Sequence, residues 1–363
     1  MPVIASVGVG IPRYRIPQEE AKELIREIFP RDSEQLERLL PVFDHAFIKE
    51  RQMVVPIDWF KEAHTLAERN QKYLEEAIPY TIEAVEDCLH NSKFLNEQVS
   101  PREIDCIIFA SSTGIATPSI DAHLINELPF SEYTTRIPLW GLGCAGGASG
   151  LARASEWLLA HPDKNTLLIN LEFCSLAFQK HDRRKSNFIG SALFGDGVSC
   201  TLIMGDQSPL QDRLKHTGPH IMKTSSRTKK GALDVMGWDI QNSGFHVIFA
   251  KSIPRLVETF WYEHLQDFLQ ESQHQTTDFP FLTAHPGGTK VLQAMERILE
   301  AKKEKFRYSY KILEEHGNMS SPTVLYVLKE AMESSPPTGT KSLLTALGPG
   351  FSSEIVMLEW KKS

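Results

Sequence analysis

Three polar side chains occupy settings where α/β proteins gather chemistry. Cys144 lies in the glycine-rich run WGLGCAGGASG, residues 140–150. His285 follows a short apolar run in TAHPGGTK, and Asn318 sits in HGNMSSPT. A thiol with a His and an Asn makes an acyl-transfer set. The thiolate attacks a carbonyl carbon, and the two partners donate hydrogen bonds to the oxyanion that forms. Periodicity predicts a helix over residues 145–160, so Cys144 stands at a helix start, where the positive end of the dipole favours thiolate. His285 can hold such a thiolate as an ion pair. Gly146, Gly147 and Gly150 each cost a helix about 1 kcal/mol against Ala. Their presence implies that a substrate or another element approaches the first turns closely.

Two other chemistries share these residues. GLGCAG, residues 141–146, satisfies the G-x-G-x-x-G pattern of a dinucleotide-binding turn, with a strand before it, a helix after it and Glu172 at the end of the next strand. That reading predicts NAD(P) binding. The order Cys, His, Asn is also that of papain-like proteases, but the C-G-[SA]-C-[WY] stretch of that family is absent. Cys88, Cys106, Cys144, Cys174 and Cys200 are widely spaced with no C-x-x-C pair, which argues for reduced thiols and against a zinc site or disulfide framework. A net charge of −7 argues against a nucleic-acid partner. The N-terminal MPVIASVGVGIPRY has no basic n-region, and no apolar run reaches the length that spans a bilayer, so a soluble cytoplasmic protein is expected.

The elements that must position these groups alternate between buried strands and helices. Apolar, β-branched runs predict strands over residues 3–9, 104–110, 134–142, 166–172, 198–204, 279–284, 342–346 and 354–360. Helices are predicted over residues 18–40 with a break at Pro30, and over 59–74, 79–90, 119–127, 145–160, 253–270, 289–302 and 322–334. The polar stretch 205–231 reads as a connector between two lobes. IIFASSTG and FLTAHPGG are each a buried strand opening into a small-residue loop, which hints at two related halves. Such alternation means parallel or mixed sheets covered by helices, the α/β class.

Taken together, GLGCAGG, LFGDG (residues 193–197), AHPGG, HGNMSS and ALGPGFSSE make the sequence resemble a type III polyketide synthase of the chalcone synthase superfamily. The resemblance covers nearly the whole chain and is strongest to Bacillus-type alkylpyrone synthases. It implies a thiolase-like fold of duplicated βαβαβ halves in α-β-α-β-α layers, divided here as residues 1–217 with the Cys and 218–363 with the His and Asn. By the same resemblance Cys144 is the acyl-carrying nucleophile, and His285 and Asn318 are its catalytic partners. Phe194 and Phe245 match the gatekeepers that present an apolar wall to the carboxylate lost as CO2. Ser112, Cys174, Ala177 and Ser320 match pocket-shaping positions. Gly348, Pro349, Gly350 and Phe351 match the loop of the cyclisation pocket, and Lys49 and Arg51 match the CoA entrance. HDRRK, residues 181–185, reads as an exposed charged loop rather than a CoA clamp.

The implied activity is iterative decarboxylative condensation of malonyl-CoA onto a medium- or long-chain fatty acyl-CoA, then cyclisation to alkylpyrones. CoA thioesters are the implied partners, with no cofactor, metal, nucleic acid or membrane insertion. Plant chalcone synthases carry Thr where Cys174 and Ala177 fall, and the smaller or less polar groups here suit an aliphatic starter. A homodimer is implied, although Thr117 stands where the plant enzymes place a Met that crosses the dimer interface. Two alternatives stay open: a single-condensation ketoacyl synthase III-like or HMG-CoA synthase-like enzyme, and a chalcone- or resorcinol-type product from an aromatic starter. Phe194 in LFGDG, and GPGF, argue against the first.

Overall fold

The computed structural model describes residues 1–29, 34–215 and 217–361. The predicted break at Pro30 lies outside the described residues. The strands in chain order are β1 (Val3–Gly10), β2 (Tyr14–Pro17), β3 (Glu50–Met53), β4 (Cys106–Ser111), β5 (Thr135–Trp140), β6 (Asn165–Phe173), β7 (Asp196–Met204), β8 (Gly218–Thr228), β9 (Met236–Gln241), β10 (Gly244–Phe249), β11 (Phe281–Ala284), β12 (Lys341–Gly348) and β13 (Ser352–Lys361). Among the described residues, nine of them form one sheet in the order β11-β12-β13-β8-β1-β7-β6-β4-β5.

The echo seen in the sequence becomes a repeated topology. β4 pairs parallel with β6, β6 antiparallel with β7, and β7 antiparallel with β1. β11 pairs parallel with β12, β12 antiparallel with β13, and β13 antiparallel with β8. The two sets join at a single residue pair, Val3 with His220. β4, β6 and β7 are buried along their whole length, as their unbroken apolar runs require of strands covered on both faces.

The helix Gly146–Ala160 after Cys144 and the helix Thr323–Glu333 after Asn318 pack against each other at the centre of the fold. A Cβ on Gly146 stands 2.9 Å from the Cβ of Ser321, and one on Gly147 stands 2.6 Å from the Ser321 carbonyl oxygen. On Gly150 it meets Leu168 at 2.4 Å. The close approach implied by these glycines is therefore that of neighbouring elements, not of a substrate.

Three expectations give way. Residues 66–89 form one helix, Leu66–Leu89, with Pro79 inside it. The helix tolerates the missing N–H because it lies along β1 and β7 and buries Tyr73, Ala77, Ala84, Val85 and Cys88. Residues 57–61 form a separate 3-10 turn, and Thr65 starts the helix with a capping box to Glu68. The supposed connector 205–231 contains β8, whose half-exposed side chains masked a strand held by its backbone ladder to β13. Beyond it, β9 and β10 form a hairpin about Asn242 and Ser243 that the sequence reading did not foresee.

Candidate active site

Cys144 sits in the turn Gly143–Ala145 that leads into the central helix. Gly143 takes φ +46, and its N–H donates to Ser112 Oγ at 3.0 Å. Here Ser112 braces the nucleophile turn from beneath. Pro349 packs on the same glycine, and Gly348 lies so close to Ala145 and the Leu142 carbonyl that a Cβ there would overlap both. Phe351 is fully buried and packs on Phe260. Gly348 and Pro349 thus pack on the turn that carries Cys144, while Leu347 lines the cavity.

The other half of the chain delivers the partners. His285 leaves the end of β11 with its N–H donating to the Thr345 carbonyl at 2.8 Å. Asn318 is held by its backbone between Leu193 and Gly195, at 2.8 and 3.0 Å. Its Oδ1 accepts from the Ser320 N–H at 2.8 Å and stands 3.9 Å from Cys144 Sγ, while Nδ2 donates to the Gly287 carbonyl at 3.3 Å. The second Nδ2 proton remains to donate. Ser320 holds φ +59, an uncommon conformation for a non-glycine residue, and its hydroxyl acts on the thiol.

Cys144, His285 and Asn318 line one cavity of about 600 Å³, walled by Leu193, Met236, Phe249, Met295 and Leu347. Both His285 nitrogens lack a partner among the described residues. Burial pushes the imidazole down to about 3 and the thiol up to about 11. The nearby Glu172 carboxyl adds to the rise of the thiol, which the Ser320 and Asn318 contacts only partly offset. Burial thus opposes the standing thiolate and the ion pair with His285 that the helix start alone would favour.

Phe194 is buried against Trp238 and Phe249 at 5.8 and 5.5 Å between ring centroids. Phe245 is buried against Trp238. Phe194, Cys174 and Ala177 line a second, smaller apolar pocket with Ile16, Leu24, Ile25 and Phe60. Phe249, which the sequence reading missed, faces the large cavity. Its spacing from Phe245 was a usable signal, because alternate residues of a strand share a face.

The expected CoA entrance is corrected. Arg51 is fully buried. Its Nη1 donates to the carbonyls of Ser191 and Phe194 at 2.6 and 3.0 Å, so it clamps the backbone of Phe194. Burial holds its guanidinium at about 10, and Asp196 partly compensates its charge. Lys49 is exposed, and its N–H donates to the Glu314 carbonyl away from the cavity lining. The exposed basic side chains that do line the cavity are Arg38, His45, Lys185, Lys251 and Lys290. Lys185 ends the HDRRK run that was read as a loop remote from CoA.

A layer of buried acid supports these groups. Asp196 of LFGDG accepts from the N–H groups of Ser175 and Val54 at 2.7 and 2.8 Å and from Ser175 Oγ at 2.6 Å. Glu172 accepts from the Ser112 N–H at 3.0 Å and from Ser321 Oγ at 3.1 Å. Burial pushes Asp196 up to about 6 and Glu172 up to about 7. All five cysteines are free and buried. Among the described residues no cluster of His, Cys, Asp or Glu could hold a metal ion, and no helix is long and apolar enough to cross a membrane.

Comparison with known proteins agrees with this geometry. Residues 2–207 match the chalcone and stilbene synthases, N-terminal domain, and residues 227–360 match the C-terminal domain of the same family. A putative chalcone synthase of Bacillus subtilis (strain 168) is 44% identical over the whole of both chains. An alpha-pyrone synthesis polyketide synthase-like protein, Pks18, of Mycobacterium tuberculosis (strain ATCC 25618 / H37Rv) is 25% identical over 98% of this chain and 91% of its own. The crystal structure of 1,3,6,8-tetrahydroxynaphthalene synthase from Streptomyces coelicolor A3(2), a bacterial type III polyketide synthase, superimposes with a TM-score of 0.89 at 28% identity, covering 99% of this chain and 100% of the other. The chain belongs to the chalcone and stilbene synthase family. It has the thiolase-like fold and is a type III polyketide synthase, a condensing acyltransferase.

Proposed function

We propose that this synthase extends a medium- or long-chain fatty acyl-CoA with malonyl-CoA units and releases alkylpyrones in the cytoplasm. The observation that carries the reading is the large cavity, in which a thiol, an unpartnered imidazole and an Asn amide face a mainly apolar wall. The exposed basic residues at its edge suit the phosphates of CoA, and the apolar wall suits an alkyl chain. The relative named for alpha-pyrone synthesis supports the product class.

In this mechanism neutral His285 takes the Cys144 proton as the thiol attacks the starter thioester. A thiol at about 11 and an imidazole at about 3 make that transfer unfavourable at rest, so it accompanies attack rather than preceding it. His285, then protonated, and Asn318 Nδ2 donate to the tetrahedral oxyanion, and CoA thiolate leaves with the imidazole's proton. Malonyl-CoA enters the same space and loses CO2. The same donors hold the thioester enolate, which attacks the acyl group on Cys144. The C–S bond breaks, the Cys144 thiolate leaves and the extended chain is carried on CoA, from which it returns to the thiolate for the next round. Phe249 faces this space as the apolar wall for decarboxylation, and Phe194 and Phe245 back it through their contacts with Phe249 and Trp238. The halves 1–217 and 218–363 are the units of the duplication, each supplying part of the site. A homodimer is part of the same proposal. β5 is a sheet edge, and Trp140, whose Nε1 donates to the Gly114 carbonyl, lies exposed near exposed Ile115.

The test incubates the protein with malonyl-CoA and a series of acyl-CoAs and reads the products by mass spectrometry. Alkylpyrones from fatty starters are expected. A single malonyl unit per product would mark a ketoacyl synthase-like reaction, and product only from aromatic starters a chalcone- or resorcinol-type one. Either result overturns the proposal, as does the absence of CoA release.

A further inference from the structure

A further cavity, about 440 Å³, shares no lining residue with the reaction cavity. It lies at the first turn of the Leu66–Leu89 helix, against the β9–β10 turn. Its chemistry-bearing walls are Arg69, Lys180, Asp182, Arg184, Ser243 and His246.

Ser243, His246 and Asp182 have the residue types of a hydrolytic triad, with Ser243 Oγ 2.7 Å from His246 Nε2 and His246 Nδ1 3.2 Å from Asp182 Oδ2. Arg184 decides against that role. Its Nη2 stands 2.9 Å from His246 Nδ1, and a guanidinium only donates. Asp182 Oδ2, which only accepts, makes the longer contact to the same Nδ1, at 3.2 Å. With Nδ1 accepting from the closer Arg184, Nε2 carries the proton and donates it to Ser243 Oγ. Ser243 is not activated as a nucleophile, and its own hydroxyl proton is free to donate into the cavity.

The charges here do not cancel. Arg184 and Asp182 neutralise each other through contacts of 3.0 and 2.7 Å. Arg69 exposes only 6% of its surface, and among the described residues no carboxylate lies within ion-pair distance of it; Glu68 offsets part of its charge from further off. Its Nε and Nη1 donate to the carbonyls of His64, Ser243 and Leu176, and among the described residues nothing meets Nη2. Glu68, its neighbour on the helix, is engaged by the Thr65 N–H and hydroxyl at 2.7 and 2.8 Å. Lys180 donates to the Lys61 carbonyl, and among the described residues no carboxylate lies within ion-pair distance of its Nζ. A buried cation without a counter-charge is costly, and the first turn of a helix adds positive potential.

We propose that this cleft binds a phosphate group, held by Arg69 Nη2, Lys180 Nζ and the Ser243 hydroxyl. Two positive charges without an ion-pair partner among the described residues match a dianion better than a neutral ligand. At about 30 Å³ per water the cavity has room for a phosphate and a small organic body attached to it. The site is independent of the reaction assigned to Cys144.

Isothermal titration calorimetry on the full chain, with inorganic phosphate and with glycerol 3-phosphate, tests it. Saturable binding is expected, and Lys180→Gln weakens it about tenfold, the usual loss for one charge-assisted contact. Arg69→Gln abolishes it. Because Arg69 also ties the Leu176 and Ser243 carbonyls, its melting temperature is read alongside, and Ser243→Ala gives a milder check on the same site. Lys290→Gln, at the edge of the reaction cavity, leaves phosphate binding unchanged. Tighter binding of the ester assigns the site to an organic phosphate, and equal binding assigns it to the free ion. No saturable binding, or binding lost in Lys290→Gln and retained in Lys180→Gln, overturns the proposal.

Discussion

The polar groups that face the reaction cavity and those that stand behind it are equally buried, yet they are treated in opposite ways. Among the described residues both His285 nitrogens are unpartnered, and Cys144 has only the Ser320 hydroxyl and a long contact to Asn318. Behind them Asp196 accepts three hydrogen bonds, and Glu172 is anchored between Ser112 and Ser321. Burial pushes all four towards their neutral forms. The difference is satisfaction, since an unsatisfied buried group stores a capacity that substrate can complete, whereas a satisfied one fixes geometry.

Removing a group from the front of the site breaks this comparison most sharply. Cys144→Ala is expected to lose product formation by a factor on the order of 10⁴ or more, as for other nucleophiles that act as a unit with their partners. Its melting temperature stays near that of the parent, because little else depends on the thiol. Iodoacetamide should alkylate Cys144 of the parent slowly near neutral pH, with a rate that rises with pH towards about 11. Mass spectrometry of the modified peptide reads this, and a fast, pH-independent rate would mean a standing thiolate.

Behind the site the losses should be in stability. Asp196→Ala strands the Ser175 and Val54 donors and leaves Arg51 without its compensating charge. An unfolding free energy lower by about 3–5 kcal/mol is expected from denaturant titration. Gly147→Ala pushes a methyl to 2.6 Å from the Ser321 carbonyl oxygen. It should cost about 1–3 kcal/mol, as overpacking does, and lower activity by shifting the two central helices apart.

The smallest effect tests Glu172 by pH. Its carboxyl is raised from 4.5 to about 7 by burial. The folded protein therefore binds this proton more tightly than the unfolded chain. The stability it contributes is complete below about pH 4.5 and is lost as pH rises through about 7. Gln keeps the shape without a charge, offering its carbonyl to the Ser112 N–H and its amide to the Ser321 hydroxyl. Glu172→Gln should remove the loss seen between about pH 4.5 and 8 in parent unfolding curves, by up to a few kcal/mol. Unchanged curves would mean that Glu172 is ionised in the fold.

Much of this was legible in the chain. Residues 104–110 and 166–172 announce strands because they are buried on both faces, and Cys144, His285 and Asn318 stand in compact local motifs that short-range sequence carries. The Leu66–Leu89 helix was split on paper because Pro79 is a local breaker, and packing on β1 and β7 overrides it. Arg51 was misplaced because a basic residue near a surface turn looks exposed. The carbonyls of Ser191 and Phe194 that enclose it lie 140 and 143 residues along the chain.

The sequence by itself determined the candidates for the proposed chemistry, one thiol, one imidazole and one amide, and the glycines that let the two central helices meet. Only the tertiary structure decided their state. A proton's affinity depends on the water that neighbours exclude, and those neighbours come from both halves of the chain. Burial therefore raises the thiol that a helix start alone would favour as thiolate, with Glu172 adding to the rise, and pushes the His285 imidazole down to about 3.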